Sequence, residues 1–197
     1  MPADPSDVAT WANLVTVGRL LIAPLVFWMI PDGRQGSWPA FLLWFVLCAS
    51  DGIDGWLARR HGTTTLGTFL DPLADKVLIL GAMFTLVTRN IYWIVPVVVI
   101  AVREIVISMY RTYVATKGVS VPASKLAKYK TVTQQLSVGF AIAPLTSMDA
   151  KWLWNGLLWV SVALALISGA QYLWRGQSMQ PTGPPVTVPL SGLSEPD

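Results

Sequence analysis

Four aspartates occur as two closely spaced pairs in a chain that is otherwise strongly apolar. Asp51 and Asp54 are three residues apart, and Asp71 and Asp75 are four residues apart. Because residues three or four apart share one face of a helix, each pair presents two carboxylates on the same side. An ionisable group at membrane depth is costly, so this arrangement requires a compensating partner or a function.

The chemistry of four clustered carboxylates points to divalent cations. Such a cluster does not remain fully ionised without neutralising charge. Hard divalent cations prefer oxygen ligands, and two Mg²⁺ ions would supply four positive charges. The chain has one cysteine and one histidine, so no zinc-type ligand set is available. The sequence predicts a two-metal carboxylate site. The alternative is a structural ion network that pairs the aspartates with Arg59, Arg60 and Lys76.

Six apolar stretches of near-bilayer length surround the aspartates. They cover residues 13–30, 38–58, 67–87, 91–115, 126–145 and 152–174. One membrane crossing takes about 20 apolar residues. The first aspartate pair lies near the end of the second stretch and the second pair near the start of the third, so a short connection brings them to one depth. We expect an all-α integral membrane protein with six transmembrane helices and a polar metal-binding cavity at the cytoplasmic side.

The composition excludes an ordinary soluble domain. The chain has 197 residues, of which 53% are hydrophobic and 13% charged, whereas soluble domains carry about 25% charged residues. The basic residues are scattered among apolar runs, so nucleic-acid binding is not expected. We expect an N-terminal cytoplasmic segment at 1–12, a six-helix domain at 13–175 and a disordered proline-rich tail at 176–197.

The distribution of basic residues predicts the orientation. Seven Lys and Arg residues lie in the loops after the second and fourth spans and after the sixth span, against three on the other side. By the positive-inside rule, we expect a multi-pass protein of the cell membrane with both termini in the cytoplasm. Arg19, in the first span, either extends toward the cytoplasmic interface or contacts a phosphate of the ligand, and the first interpretation needs no further assumption.

A second group of charged residues lies in the fourth and fifth spans. Arg103 and Arg111 are eight residues apart, or about two helical turns, so both can face the bundle interior. Glu104 can orient one of them. Together with Lys128 and Lys130, they suit a ligand that carries phosphate. The alternative for the lysines is the ordinary positive charge of a cytoplasmic loop.

The aspartates are part of a longer pattern. It reads Asp51-x2-Asp54-Gly55-x2-Ala58-Arg59-x7-Gly67-x3-Asp71-x3-Asp75. This pattern resembles the signature of the CDP-alcohol phosphotransferase family at all eight fixed positions. The resemblance implies a six-helix membrane enzyme that transfers a phosphatidyl or similar group from a CDP-linked donor to an alcohol. It also implies release of CMP, the use of Mg²⁺ or Mn²⁺, and a homodimer.

The same resemblance assigns roles to individual positions. Asp75 corresponds to the general base that takes the proton from the attacking hydroxyl. The metal ions are assigned to Asp51, Asp54, Asp71 and Asp75. The CDP moiety is assigned to Asp51, Gly55, Ala58, Arg59, Gly67 and Asp71.

Residues of the fourth and fifth spans indicate which alcohol is the acceptor. The stretches Arg103-Glu104-Ile105-x2-Ser108-x2-Arg111 and Lys128-x-Lys130-Thr131-x2-Gln134 resemble the bacterial subgroup of the family that uses glycerol 3-phosphate. This implies a function in phospholipid biosynthesis, the transfer of the phosphatidyl group from CDP-diacylglycerol to glycerol 3-phosphate. The acceptor phosphate is then expected at Arg103, Arg111, Lys128 and Lys130.

Three alternatives remain open at this point. A synthase of the same family could use phosphatidylglycerol, giving cardiolipin, or inositol phosphate, and direct competition between acceptors separates these. A divalent-cation or proton-coupled transporter also carries intramembrane aspartates, but these carboxylates cluster near one face and no second acidic cluster continues across the bilayer. A structural scaffold predicts that Asp54→Asn and Asp75→Asn retain function, and the acidic signature makes it the least favoured.

Overall fold

A computed structural model of the chain is all-helical over the residues that it describes. These are residues 5–33, 35–61, 65–116, 125–147 and 149–178 for the backbone, and 15–33, 35–50, 73–114, 126–146 and 149–174 for the side chains. The helices are α1 Pro5–Met29, α2 Trp38–His61, α3 Thr65–Thr88, α4 Ile94–Thr116, α5 Lys125–Ile142, α6 Pro144–Ser147 and α7 Lys151–Ser178. The predicted all-α class is confirmed, and each predicted apolar stretch overlaps one long helix.

The ends of the chain differ slightly from the predicted boundaries. α1 begins within the predicted segment 1–12, and α7 ends within the predicted tail 176–197. From residue 179 onward, the tail lies outside the described residues.

The final helix is the one described helix that is long and apolar enough to cross a membrane by itself. It meets this criterion over Lys151–Trp174. The apolar parts of α1 and α2 are shorter, at Val15–Met29 and Trp38–Ser50. α4 and α5 contain charged residues, among them Arg103 and Lys130. The multi-pass arrangement therefore stays a prediction for the other five long helices.

The apolar core occupies one end of the bundle. α5 packs extensively against α7, and α1 packs against α3, while α4 lies on α7 and α2 contacts both α1 and α5. The core residues come from the later halves of α1, α3 and α5 and from the earlier halves of α2, α4 and α7, such as Val26, Met83, Ile100, Val138 and Leu158. Because consecutive helices alternate in direction, these halves meet at the same end.

Three connections are joined at that end of the bundle. The N–H of Gly33 donates to the carbonyl oxygen of Arg89 at 3.4 Å. Nη1 of Arg89 donates to Oδ1 of Asp32 at 2.5 Å. The N–H of Ser37 donates to the carbonyl oxygen of Ile142 at 2.9 Å. The segment after α1 is thereby fixed to the segments that follow α3 and α5.

We expect Gly36→Ala to destabilise the protein more than Gly33→Ala. Both glycines have positive φ, +67° and +76° respectively, so alanine is strained at both positions. A Cβ atom at Gly36 would lie 2.6 Å from Cα of Pro144, whereas at Gly33 it would meet nothing within 4 Å. This backbone clash should cost about 1–3 kcal/mol beyond the shared strain. Thermal unfolding of both variants in one detergent measures the difference, and equal Tm values would contradict the close approach.

Candidate active site

The two aspartate pairs lie on helical backbone. Asp51 and Asp54 are in α2, and Asp71 and Asp75 are in α3. Their spacing therefore places each pair on one helix face. Within the described side chains, no three His, Cys, Asp or Glu residues come together as a metal site. Several of the predicted metal and CDP positions fall outside those side chains, namely Asp51, Asp54, Gly55, Ala58, Arg59, Gly67 and Asp71.

Asp75, the predicted base, has a described side chain. It is half-buried on α3. The charge of its carboxylate acts on the ammonium group of Lys130, which belongs to α5. The predicted base and one of the cations predicted to bind the acceptor phosphate therefore lie on two helices in contact, α3 and α5, and interact electrostatically.

Arg103, Glu104 and Lys130 form a buried ionic cluster between α4 and α5. Oε1 of Glu104 accepts a hydrogen bond from Nη1 of Arg103 at 3.0 Å and another from Nζ of Lys130. The three residues are only 9%, 7% and 6% exposed. A carboxylate at this depth needs paired charge, and here it has two cations for one negative charge. The predicted orienting contact between Glu104 and an arginine is confirmed.

The other contacts of Arg103 attach α4 to α7. Nε donates to the carbonyl oxygen of Ala165 at 2.9 Å, and Nη2 donates to Oγ of Ser168 at 2.7 Å. A Cβ atom at Gly169 would approach Nε to 3.4 Å, so glycine leaves room for the guanidinium. Three of the five N–H groups of Arg103 are used in these contacts and in the one to Glu104. Its guanidinium is therefore held in one orientation.

A further polar connection joins α3 to α4 next to Asp75. Nζ of Lys76 donates to Oγ of Ser108, and that hydroxyl donates to the carbonyl oxygen of Glu104 at 2.6 Å. The sequence suggested Lys76 only as a counter-ion for the aspartates, and this contact was not predicted. The available signal was a cation that directly follows Asp75 in an apolar helix.

The other two predicted acceptor cations lie at the surface. Arg111 is exposed on α4, with its guanidinium carbon 6.0 Å from the ring centroid of Tyr172 on α7. Lys128 is exposed near the start of α5. The structure thus brings Arg103 and Lys130 together around Glu104, while Arg111 and Lys128 stand outside that buried cluster.

Arg19 is buried inside the bundle. It is 3% exposed, and Thr16, one turn earlier on α1, is also buried. The favoured interpretation, in which Arg19 extends toward the cytoplasmic interface, was wrong. The reason is that α1 packs against both α2 and α3, and the neighbouring helices enclose the side chain.

Gln134 extends the buried polar face of α5. It follows Lys130 by one helical turn and is 2% exposed. Its Nε2 has no hydrogen-bond partner among the described residues. A buried donor without an acceptor is costly, so this position can accommodate a polar ligand or a water molecule.

The sequence as a whole identifies the family. The family model for CDP-alcohol phosphatidyltransferases matches residues 9–167. The match includes all four aspartates and the Arg103–Glu104–Lys130 cluster. The chain belongs to this family, and the prediction of an enzyme of this class is confirmed.

Several relatives share one name, CDP-diacylglycerol–glycerol-3-phosphate 3-phosphatidyltransferase. The protein of that name from Pseudomonas fluorescens is 34% identical over 169 residues, which is 82% of this chain and 84% of the relative. The one from Haemophilus influenzae is 33% identical over 174 residues, or 81% and 89% of the two chains. The one from Rickettsia felis is 30% identical over 165 residues, or 81% and 91%. The similarity therefore extends over nearly the full length of each relative.

We expect Ser168→Ala to destabilise the protein by about 1–3 kcal/mol, because it removes the acceptor of a buried guanidinium N–H. Ser161→Ala is the matched control. Ser161 is equally buried on α7, and its hydroxyl donates to the carbonyl oxygen of Leu158 at 2.7 Å. Thermal unfolding in one detergent compares the two variants. A control that loses as much stability as Ser168→Ala would contradict the role given to the Arg103 contact.

Proposed function

We propose that this chain transfers the phosphatidyl group of CDP-diacylglycerol to glycerol 3-phosphate in phospholipid biosynthesis, forming phosphatidylglycerophosphate and CMP. Both substrates are supported by the names of relatives that match more than four fifths of this chain. Among the residues, the proposal is carried by the buried cation Lys130 of α5, which interacts electrostatically with Asp75 on the contacting helix α3. An acceptor that bears a phosphate needs a cation near the base that activates its hydroxyl.

In this reaction, Asp75 accepts the proton of the sn-1 hydroxyl of glycerol 3-phosphate. The hydroxyl oxygen then forms a bond to the β-phosphorus of the donor. The bond between that phosphorus and the oxygen bridging to CMP breaks, and CMP leaves. A carboxylate enclosed by cations is a weak base, so we expect Asp75 to lie at the edge of the metal site.

The donor set fits Mg²⁺ or Mn²⁺. All four predicted ligands are carboxylates, whose oxygens hard divalent cations prefer, and each pair shares one face of a helix. Enzymes of this family are generally dependent on divalent cations. Two ions held by Asp51, Asp54, Asp71 and Asp75 would stabilise negative charge on the pyrophosphate and on the departing CMP. The CDP moiety would bind at Asp51, Gly55, Ala58, Arg59, Gly67 and Asp71.

The acceptor phosphate would bind to cations of α4 and α5. Lys130 interacts electrostatically with the base, and Arg103 belongs to the same buried cluster as Lys130. Arg111 and Lys128 are exposed toward the ends of these helices that lie away from the apolar core. Their charges would attract the anionic acceptor from the cytosol and raise its local concentration.

We also propose that residues 13–175 form a multi-pass domain of the cell membrane with both termini in the cytoplasm. Large apolar side chains on the outside of the bundle support a surface that faces membrane lipids, among them Leu21, Phe45, Met109 and Trp174. In a Cys48→Ser background, cysteines introduced at Asp32 and Lys128 should react with an impermeant reagent from opposite sides of the membrane. The homodimer implied by the family resemblance is tested by crosslinking in native membranes.

The acceptor is tested by CMP release from purified protein in detergent with CDP-diacylglycerol and Mg²⁺. We expect turnover with glycerol 3-phosphate and little with inositol 1-phosphate or phosphatidylglycerol. Asp75→Asn should reduce the rate by about 100-fold or more, since it removes the base, and chelation of the metal should abolish turnover. Asp32→Asn, at the opposite end of the bundle, serves as the control.

Each contrary result has a distinct meaning. Preference for inositol 1-phosphate or phosphatidylglycerol would contradict the proposed acceptor while leaving the transferase intact. Full activity of Asp75→Asn would contradict the proposed base. An absence of CMP release with every acceptor would contradict CDP-diacylglycerol as the donor.

A further inference from the structure

We propose that Glu104 is a positioning residue for the acceptor, which holds the ammonium group of Lys130 in place between α4 and α5. The inference rests on the proposed function, in which Lys130 binds the phosphate of the acceptor. Glu104 then acts through Lys130 and has no contact of its own with either substrate. It determines how well the acceptor binds.

The charges of the cluster give the first reason. Arg103 and Lys130 both donate to the same oxygen, Oε1 of Glu104. One carboxylate neutralises one of two cations, so the trio retains one positive charge in a buried position. An unbalanced buried charge is unfavourable. On the proposed function, the carboxylate of Asp75, which also acts on this ammonium group, is shared with the metal ions, so an anionic group that binds next to Lys130 would offset the remaining charge.

The division of contacts gives the second reason. Arg103 is tied to Ala165 and Ser168 on α7 as well as to Glu104. Lys130, in contrast, comes from α5 and reaches across to Glu104 on α4. Arg103 is therefore suited to fixing Glu104, and Lys130 is the member of the cluster suited to meeting the acceptor.

Glu104 is itself held at two points. Its side chain is held by Arg103, which is anchored on α7. Its backbone carbonyl accepts the hydroxyl of Ser108, which in turn accepts a hydrogen bond from Lys76 on α3. Contacts with α3 and α7 thus fix the position of the carboxylate. The carboxylate in turn fixes the ammonium group of Lys130, which belongs to α5.

Preorganisation explains why this matters for binding. A lysine side chain has many rotamers, and ordering one on binding reduces affinity. With Glu104 in place, Lys130 is ordered before the acceptor arrives. Without it, the acceptor phosphate must order the side chain itself. This loss affects the ground state and the transition state alike, so KM rises while kcat changes little.

The test compares Glu104→Gln with wild-type enzyme in steady-state CMP release. Glutamine keeps the shape of the side chain and removes its charge. We expect KM for glycerol 3-phosphate to rise about tenfold, as for one weakened charge-assisted contact, with KM for CDP-diacylglycerol and kcat within about twofold of wild type. Asp32→Asn removes the carboxylate of an exposed ion pair at the other end of the bundle and should change neither KM.

Two further variants separate positioning from folding. Glu104→Asp keeps the charge but shortens the side chain by one methylene, so it should fold and show a smaller rise in the acceptor KM. Lys130→Met removes the cation, and Glu104→Gln should then add nothing to its effect, as expected for residues that act through one contact. If Glu104→Gln does not fold, the Glu104→Asp result decides.

Three results would overturn the inference. The acceptor KM could be unchanged in every Glu104 variant that folds. Both substrate KM values could rise together, as general disruption of the bundle would cause. The effects of Glu104→Gln and Lys130→Met could be fully additive.

Failure of the proposed function is recognised separately, in the wild-type enzyme. If the wild type uses inositol 1-phosphate instead, the proposed acceptor is wrong, and the same KM comparison is made with that phosphate. If the wild type uses no acceptor that carries a phosphate monoester, both proposals are wrong.

Discussion

A charge buried in an apolar helical bundle must be paired, and this requirement organises the end of the molecule that carries the predicted base. Glu104 accepts hydrogen bonds from Arg103 of α4 and from Lys130 of α5. Arg103 also donates a hydrogen bond to α7. Lys76 connects α3 to the same helix through Ser108. The contacts that offset desolvation therefore also join four helices. Ionic pairing therefore holds helices together in a part of the bundle outside the apolar core.

Different interactions stabilise the two ends of the bundle. At the end that contains the core, apolar residues such as Met83 and Leu158 are closely packed, and the buried hydroxyls of Tyr92 and Ser137 are paired with each other. At the other end, polar side chains occupy positions that apolar side chains would otherwise fill. Groups suited to chemistry are costly to bury, so a rigid core elsewhere in the same helices is what allows them to be held in place.

The sequence predicted where the helices lie along the chain better than it predicted which helices contact one another. Long apolar runs translate directly into helices, and the spacing of the aspartates follows from the helical repeat. A contact of Glu104 with an arginine was also predicted, but the sequence left open whether Arg103 or Arg111 would make it, and the structure shows Arg103. The contacts of Arg103 with α7 depend instead on which helices meet, and local sequence carries no such information. For the same reason Arg19 was misplaced, since its burial depends on the neighbours of α1.

The helices also divide the work between the two substrates. On the proposed mechanism, carboxylates of α2 and α3 bind the pyrophosphate of the donor through divalent cations. Basic residues of α4 and α5 bind the phosphate of the acceptor directly. Both substrates are anionic, so the two modes of neutralisation must lie side by side without cancelling each other. Asp75 and Lys76 are consecutive on α3. Lys76 donates to Ser108 of α4, and the charge of Asp75 acts on Lys130 of α5. A change of acceptor would then require new side chains on α4 and α5, while the aspartate pattern of α2 and α3 could remain the same.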